Sequence, residues 1–360
     1  MSQLYTPFTL GRVTLANRLV MSPMSRHRSS NADQTPHPLG ALYYQQRASA
    51  GLIIAEGTQT SPRAKGFPGV PGIYTPAQIA AWREATTAVH RAGGHIFLQL
   101  WHCGRVSCRQ NQPGGELPIA PSAIDAGAFS VLDDGSRVPT DTPRALATEE
   151  LPALTAEYVA AAQNAITAGF DGVELHAANG YLLHQFLSDA SNQRSDNYGG
   201  SPENRARFVV ETAAAVAAAI GADRTGIRLS PVSNYQGAGD SAPEKLYPLL
   251  IEQLSALGLG YVHMVEGFAG VQRDNPPFDY AELRRRFKGA WIANNMYDRD
   301  MAEAAIASGY ADLIAFGRPF IANPDLVRRL REERALNAFN PDTLFAKDEV
   351  GYTDYPALTE

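Results

Sequence analysis

Cysteine is nearly absent from this 360-residue chain: there are two, Cys103 and Cys108. Two so close together cannot form a disulfide framework. His102 beside Cys103 raises the thought of zinc, but no second pair of ligands follows at a zinc-site spacing, so no metal site is expected. No apolar run is long enough to cross a bilayer. The first residues, MSQLYTPFTLGR, lack the charged and apolar regions of a signal peptide. No long basic run occurs, and the net charge is −6. Arg284–Arg286 and Arg328–Arg331 read as solvated helix faces, which argues against a nucleic-acid partner. Neither a G-x-G-x-x-G nor a Walker fingerprint is present, so any phosphate must be held another way. These absences predict a cytoplasmic protein that binds neither nucleic acid nor membrane.

What is present is ordinary globular composition, 44% hydrophobic and 19% charged, carrying a repeat of pattern. Apolar runs alternate with amphipathic stretches. Eight runs read as strands: Arg18–Met21, Leu52–Ala55, His95–Leu100, Gly172–Leu175, Gly226–Leu229, Tyr261–Val265, Trp291–Ala293 and Leu313–Ala315. Several are continuously apolar, as parallel strands buried on both faces are. Between them Pro76–Arg91, Leu154–Ala168, Ser201–Ile220, Ala242–Leu257, Tyr280–Phe287, Asp300–Ser308 and Pro324–Glu333 read as helices, the first opening on Thr75 as N-cap. Eight strands alternating with helices predict an α/β fold, a single (β/α)8 TIM barrel, with a doubly wound open sheet as the rival. Residues 103–150 and 188–200 are polar loops that follow strand ends, where barrel enzymes keep their active sites. Residues 340–360, with Phe345, Tyr352 and Tyr355, are expected to pack on the barrel as a tail, which leaves residues 1–360 as one domain.

The strand ends carry the chemistry. GVELHAANGYLLHQFLS, residues 172–188, offers an imidazole (His176), a carboxamide (Asn179) and a phenol (Tyr181). Placed three apart on one helical turn, His176 and Asn179 would share a face, with Tyr181 pointing elsewhere. Such a set suits polarising a carbonyl oxygen and delivering a proton to another atom. Arg228 lies inside the fifth strand, and a buried guanidinium costs several kcal/mol unless paired, by Glu56, Glu174 or an anionic ligand. Gln99, in the third strand, needs partners for both ends of its amide. Gly57 leaves space beside it for a flat ring. Gly317 and Arg318 in FGRP, with Asn294 and Asn295 ending the preceding strand, stand where barrels bind phosphate. A phosphate near strands seven and eight with a planar ring near strands one to five describes FMN. A phosphosugar would explain Arg318 alone. Two other classes stay open: a metal-dependent barrel lyase or isomerase using Glu174 and His176, and a flavin-binding protein without turnover.

NRLVMSPMSR, EGTQTSP, FLQLWHCGR, the 172–188 stretch, SNQRSDNYGGSPENRARF, IRLSP, LIAFGRPFIANPDL and GYTDYP, in this order, resemble the old yellow enzyme family of FMN-dependent ene-reductases. Ser25, Trp101 and the His-Ala-Ala-Asn order place the resemblance near its yeast-and-enterobacterial branch. It implies that NADPH or NADH reduces FMN, bound non-covalently, and that an activated alkene reoxidises it. It further implies that Pro23, Met24 and Ser25 face one flavin edge, Gly57 and Gln99 the pyrimidine ring, and Arg228 the N1/O2 side. Asn294, Asn295, Gly317 and Arg318 would hold the phosphate. His176 and Asn179 would grip the substrate oxygen, or that of a phenolic ligand, and Tyr181 would donate the proton. Phe67 and Phe345, where relatives often carry tyrosine, Trp101, and Phe268, in a loop 266–272 shorter than in several relatives, would wall the substrate pocket. The chain would be a monomer or a homodimer.

Overall fold

The structure is a computed structural model that describes residues 2–359 apart from 270, 272 and 275; the end of the 266–272 loop therefore lies outside the described residues. Eight strands close into a parallel barrel: β1 (Leu19–Met21), β2 (Leu52–Gln59), β3 (Ile96–Trp101), β4 (Gly172–Ala177), β5 (Thr225–Leu229), β6 (Tyr261–Val265), β7 (Ala290–Asn294) and β8 (Leu313–Phe316). Closure comes from β8 pairing with β1, Ala315 opposite Val20. This decides against the open sheet. All eight expected strands form, with β2 and β4 running further toward their C-terminal ends than their apolar cores suggest.

Side-chain parity divides the core in two. Leu19, Met21, Ile53, Leu98, Val173, Leu175, Val262 and Ile314 belong to the large cluster beneath the helices. Val20, Leu52, Ile54, Phe97, Tyr261, Ile292, Leu313 and Ala315 form a separate cluster inside the barrel. Strand side chains alternate, so neighbours in sequence go to opposite clusters. Two glycines make the interior packable. A Cβ on Gly172 would lie 2.5 Å from the Phe97 ring, and one on Gly226 2.2 Å from the Tyr261 ring. The large rings fill what the glycines vacate. Leu10 and Leu15 join this cluster from an antiparallel hairpin, Phe8–Leu10 with Val13–Leu15, that the sequence reading did not anticipate. The same inward parity continues upward as Gln99, Trp101, Glu174, His176, Arg228, His263 and Asn294, all buried. The barrel interior thus changes from apolar to polar along its axis.

Ten helices surround the strands among the described residues. The expected starts hold: α2 (Pro76–Arg91) opens on a capping box between Thr75 and Gln78, and Ser201 caps α5 (Pro202–Ile220). Three short helices were not foreseen: α1 (Leu39–Gln46), α4 (Leu182–Leu187) and α9 (Arg318–Ala322). Each is under three turns, too short for a 3.6-residue period to register. The 103–150 insertion contains a hairpin, Phe129–Val131 with Arg137–Pro139. The C-terminal tail is tied to the residues after β1 and to α1. Tyr352 is buried and stacks on Tyr43 at 4.2 Å, while Arg26 donates to the Gly351 carbonyl at 2.6 Å and Arg28 to that of Val350 at 2.8 Å. No helix among the described residues is long and apolar enough to cross a membrane.

Candidate active site

A cavity of about 300 Å³ opens at the C-terminal end of the barrel. Its walls come from strand ends: Pro23 and Ser25 after β1, Gly57 on β2, Gln99 and Trp101 on β3, His176 on β4 and Arg228 on β5. Asn179, Tyr181 and Phe67 complete it, with His27 and Tyr235. Residues up to 212 positions apart in sequence, from Pro23 to Tyr235, are thus brought together by the barrel topology.

His176 and Asn179 do converge, but not through a helical turn. His176 lies on β4; Asn179 and Gly180 follow in left-handed conformation, φ 54° and 82°. This tight reversal folds the chain back over the cavity. A Cβ on Gly180 would lie 2.4 Å from the Tyr235 carbonyl oxygen, so only glycine fits there. Tyr181 then stands directly before α4 with its ring 5.1 Å from that of His176 and 4.8 Å from that of Trp101. Tyr181 packs with Trp101, Cys103 and Val106, not with Leu182 and Phe186, which belong to the outer core.

The polar groups of the cavity are only partly satisfied by the protein. Nδ1 of His176, Oδ1 of Asn179 and Nε of Arg228 are buried without a hydrogen-bond partner among the described residues. Burial, reinforced by the Arg228 charge, holds the His176 imidazole well below its ordinary pKa, so it is neutral at pH 7. Burial pushes the Tyr181 phenol up, with Cys103 and Tyr235 adding to the effect, so it is protonated over the whole working range. Burial also lowers Arg228, against the pull of Glu174.

Glu174 organises the polar floor. Its carboxylate accepts from Gln99 Nε2 at 2.8 Å and lies 2.8 Å from His263 Nδ1. A carboxylate only accepts, so Gln99 must turn its NH2 toward Glu174 and its carbonyl oxygen the other way. Glu174, offered above as a metal ligand, is therefore engaged by Gln99 and His263. Glu56 also does not pair Arg228; it accepts from the Arg26 backbone N–H at 3.0 Å and from Tyr44 at 3.3 Å. Arg228 donates instead to Asn294 Oδ1 at 2.9 Å. Among the described residues no group of three or more His, Cys, Asp and Glu side chains is arranged for a metal ion.

This arrangement fits the pyrimidine edge of a flavin. That edge carries an N–H, which needs an acceptor, next to electron-rich N and O atoms, which need donors. Gln99 offers a fixed carbonyl, and Arg228, in the same cavity lining, an Nε–H without a partner among the described residues. The space at Gly57 is not open, however. A Cβ there would meet Trp101 Cε3 at 2.8 Å, so the glycine makes room for the indole that forms the cavity wall.

The residues at the ends of β7 and β8 lie outside this cavity's lining. Asn294 donates to Ser22 Oγ and to the Ala315 carbonyl, and Asn295, at φ 110°, donates to the carbonyls of Glu266 and Phe268. Both side chains are engaged within the protein. Gly317 has room around it, the nearest atom to an added Cβ being Met24 Sδ at 3.6 Å. Arg318 is exposed, and its guanidinium makes no hydrogen bond to the described residues. Phe345 lines a second cavity of about 910 Å³ that shares His27, Phe67 and Tyr235 with the first. Phe268 lines neither. The sequence analysis did not single out Tyr235 or His27; their place just after β5 and β1 was the available clue.

The sequence profile of the NADH:flavin oxidoreductase / NADH oxidase family matches residues 3–337. Putative 12-oxophytodienoate reductase 2 of Oryza sativa subsp. japonica is 47% identical, the alignment covering 99% of this chain and 94% of the relative. Morphinone reductase in complex with tetrahydroNAD superposes with TM-score 0.94 at 48% identity, over 99% of this chain and 98% of that one. The old yellow enzyme homologue from Zymomonas mobilis gives TM-score 0.94 at 43% identity, over 99% of both chains. The closed barrel, the donor and acceptor groups at its mouth and these matches agree: the chain belongs to the NADH:flavin oxidoreductase / NADH oxidase family, the old yellow enzyme family of FMN-dependent, NAD(P)H-linked flavin oxidoreductases.

Proposed function

We propose that this chain reduces the C=C bond of activated alkenes: α,β-unsaturated ketones, aldehydes and imides, and nitroalkenes. The observation that carries the reading is that His176, Asn179 and Tyr181 line the same cavity as Gln99 and Arg228. A flavin-binding protein without turnover has no use for a proton donor there. Bound FMN supplies hydride transfer, from NADPH or NADH and onward to the β-carbon of the alkene.

The side chains do the rest. Gln99 and Arg228 hold the pyrimidine edge, Pro23, Met24, Ser25 and Gly57 flank the ring, and Gly317 and Arg318 with the backbone of Asn294 and Asn295 hold the phosphate. His176 and Asn179 donate to the electron-withdrawing oxygen of the substrate. Donors aimed at developing negative charge in a site closed to water typically contribute about 2.7–4 kcal/mol each. A neutral His176 serves, because one ring nitrogen still carries a proton. Tyr181 then gives its proton to the α-carbon. A phenolic ligand would place its oxygen between the same two donors. Phe67 and Trp101 wall the reacting end and Phe345 the outer cavity. The names of the relatives, 12-oxophytodienoate reductase and morphinone reductase, support reduction of small molecules, and the tetrahydroNAD bound to the latter supports a nicotinamide as donor. The whole chain, monomer or homodimer, acts as one FMN-binding unit in the cytoplasm.

The test is direct. The purified protein should be yellow, bleach anaerobically with NADPH, and regain its colour on 2-cyclohexenone with cyclohexanone as product. Colour restored by oxygen alone, with no saturated ketone formed, would leave only the flavin-binding reading.

A further inference from the structure

The turn that carries Asn179 and Tyr181 is conformationally costly, and the structure shows what holds it. Asn179 and Gly180 are consecutive left-handed residues. For asparagine this region is unfavourable by roughly 1 kcal/mol, and glycine has no preference for it over others. The sequence His-Ala-Ala-Asn-Gly does not impose this path by itself, yet the site requires it, because Asn179 must face the cavity from one side and Tyr181 from another.

Three buried side chains outside the cavity lining take up the polar groups of this turn. Ser230, after β5, accepts from the Asn179 backbone N–H at 2.8 Å. His184 Nδ1 accepts from the Gly180 N–H at 2.9 Å. Gln185 Nε2 donates to the Gly180 carbonyl at 2.8 Å. His184 is 1% exposed, and Gln185 and Ser230 are fully buried. Gln185 reaches further: the same Nε2 donates to the Cys103 carbonyl at 2.9 Å, and its Oε1 accepts from the Arg105 N–H at 3.1 Å. Its amide is thereby fully used, and it joins the loop after β3, which follows Trp101, to the turn after β4. A Cβ on Gly104 would lie 2.2 Å from Gln185 Oε1, so this junction also depends on a glycine. His184 accepts only while Nδ1 is unprotonated. Burial, and secondarily the Arg105 charge, lower its pKa to about 4, which keeps it in that state.

The N–H groups of Asn179 and Gly180 and the Gly180 carbonyl are thus held by side chains that touch no substrate. We propose that Ser230, His184 and Gln185 are positioning residues for the alkene half-reaction: by fixing the Asn179–Gly180 backbone they set where the Asn179 amide and the Tyr181 phenol stand in the cavity. The inference rests on the roles proposed above for Asn179 and Tyr181. It makes no claim on FMN, whose proposed contacts lie on other strands.

Two variants of one residue separate positioning from bulk. His184→Leu keeps the volume and removes the acceptor. His184→Asn restores it, since Asn Oδ1 stands the same number of bonds from Cβ as His Nδ1. A displacement of about 1 Å at a reacting group can cost about 10²-fold. In stopped-flow on the FMN-loaded protein, His184→Leu should slow reoxidation by 2-cyclohexenone about tenfold to a hundredfold and weaken binding of a phenolic ligand, while reduction by NADPH changes less than about threefold. His184→Asn should recover most of the loss. Should His184→Leu fail to fold, Ser230→Ala removes a single acceptor and should slow the same half-reaction alone. Wild-type reoxidation in a folded His184→Leu or Ser230→Ala protein overturns the proposal, as does equal slowing of both half-reactions or no recovery in His184→Asn. Tyr181→Phe run alongside keeps the two readings apart: if that variant is also silent, the assignment of Tyr181 has failed, and if it is slow while His184→Leu and Ser230→Ala are not, only the positioning role has.

Discussion

Replacing Gly57 by alanine tests the geometry of the ring pocket with one methyl group. The added Cβ would lie 2.8 Å from Trp101 Cε3, 3.1 Å from Cδ2 and 3.4 Å from Gln99 Oε1. Ordinary contact begins near 3.4 Å, so the indole must retreat by about 0.6 Å. It is hemmed in on two sides: Trp101 is 4% exposed, stacks on Phe67 at 5.9 Å, and has the Tyr181 ring edge-on at 4.8 Å. Overpacking of this kind costs about 1–3 kcal/mol. For a chain of 360 residues, at about 2.1 cal/mol/K of unfolding entropy per residue, that corresponds to a fall in Tm of roughly 1–4 °C. Because the displaced indole presses on Tyr181, turnover of 2-cyclohexenone should fall as well. The clash involves the six-membered half of the indole, so Trp101→Phe should relieve it. Thermal unfolding of the two single variants and the double variant closes a double-mutant cycle, and we expect a favourable coupling of about 1 kcal/mol or more between the added methyl group and the smaller ring. If Gly57→Ala melts with the wild type, or if the two substitutions are additive, then the indole does not occupy the glycine's space and the account of this wall is wrong.

Arg228→Met should weaken FMN retention and lower the reduction potential of the bound flavin, since a cation beside the ring favours the more negative, reduced form; potentiometry with no shift and FMN still tightly held would remove Arg228 from this role. Glu56 gives a pH signature. Its carboxyl is pushed up to about 7 by burial, against the stabilising Arg26 N–H, the Arg26 charge and the Tyr44 hydroxyl. The folded state then holds the proton more tightly than the unfolded chain, so stability is fully present below about pH 4.5 and declines as pH rises through about 7. The full swing is roughly 3 kcal/mol, from 2.5 pKa units at 1.36 kcal/mol each. Glu56→Gln should therefore gain on the wild type between pH 5 and pH 8 in denaturant unfolding; a stability difference that is flat with pH would contradict this.

The barrel was legible because parallel strands buried on both faces are largely apolar, and Leu52–Ala55 or Leu313–Ala315 admit few other readings. Strand ends were harder. Glu56, Thr58 and Gln59 continue β2, and His176 continues β4, although their polarity argues for loops; inside a barrel mouth the interior is itself polar, so the usual sign of a strand boundary is lost. The residue types of the site were readable one by one, because a buried arginine or glutamine in a strand demands a partner. Which partner was not readable. The Asn294 side chain anchors Arg228, which its place at a strand end does not reveal, since whether a side chain points along or across the barrel depends on register between β5 and β7. The His176–Asn179 relation failed for a local reason: two left-handed residues after a strand mimic the spacing of a helical turn. Tyr235 and His27 carried no motif of their own, and only the closure of the barrel brings them to the cavity.

The central claim is that Tyr181 supplies the proton in alkene reduction and nothing in flavin reduction. Tyr181→Phe removes one oxygen atom and keeps the ring packed against Trp101 and His176. General acid catalysis typically contributes about 10²–10⁴-fold. Stopped-flow measurement of the two half-reactions of the FMN-loaded variant should show reduction by NADPH close to the wild-type rate and reoxidation by 2-cyclohexenone slower by about that factor. Equal slowing of both steps, or a wild-type rate for both, would contradict the account.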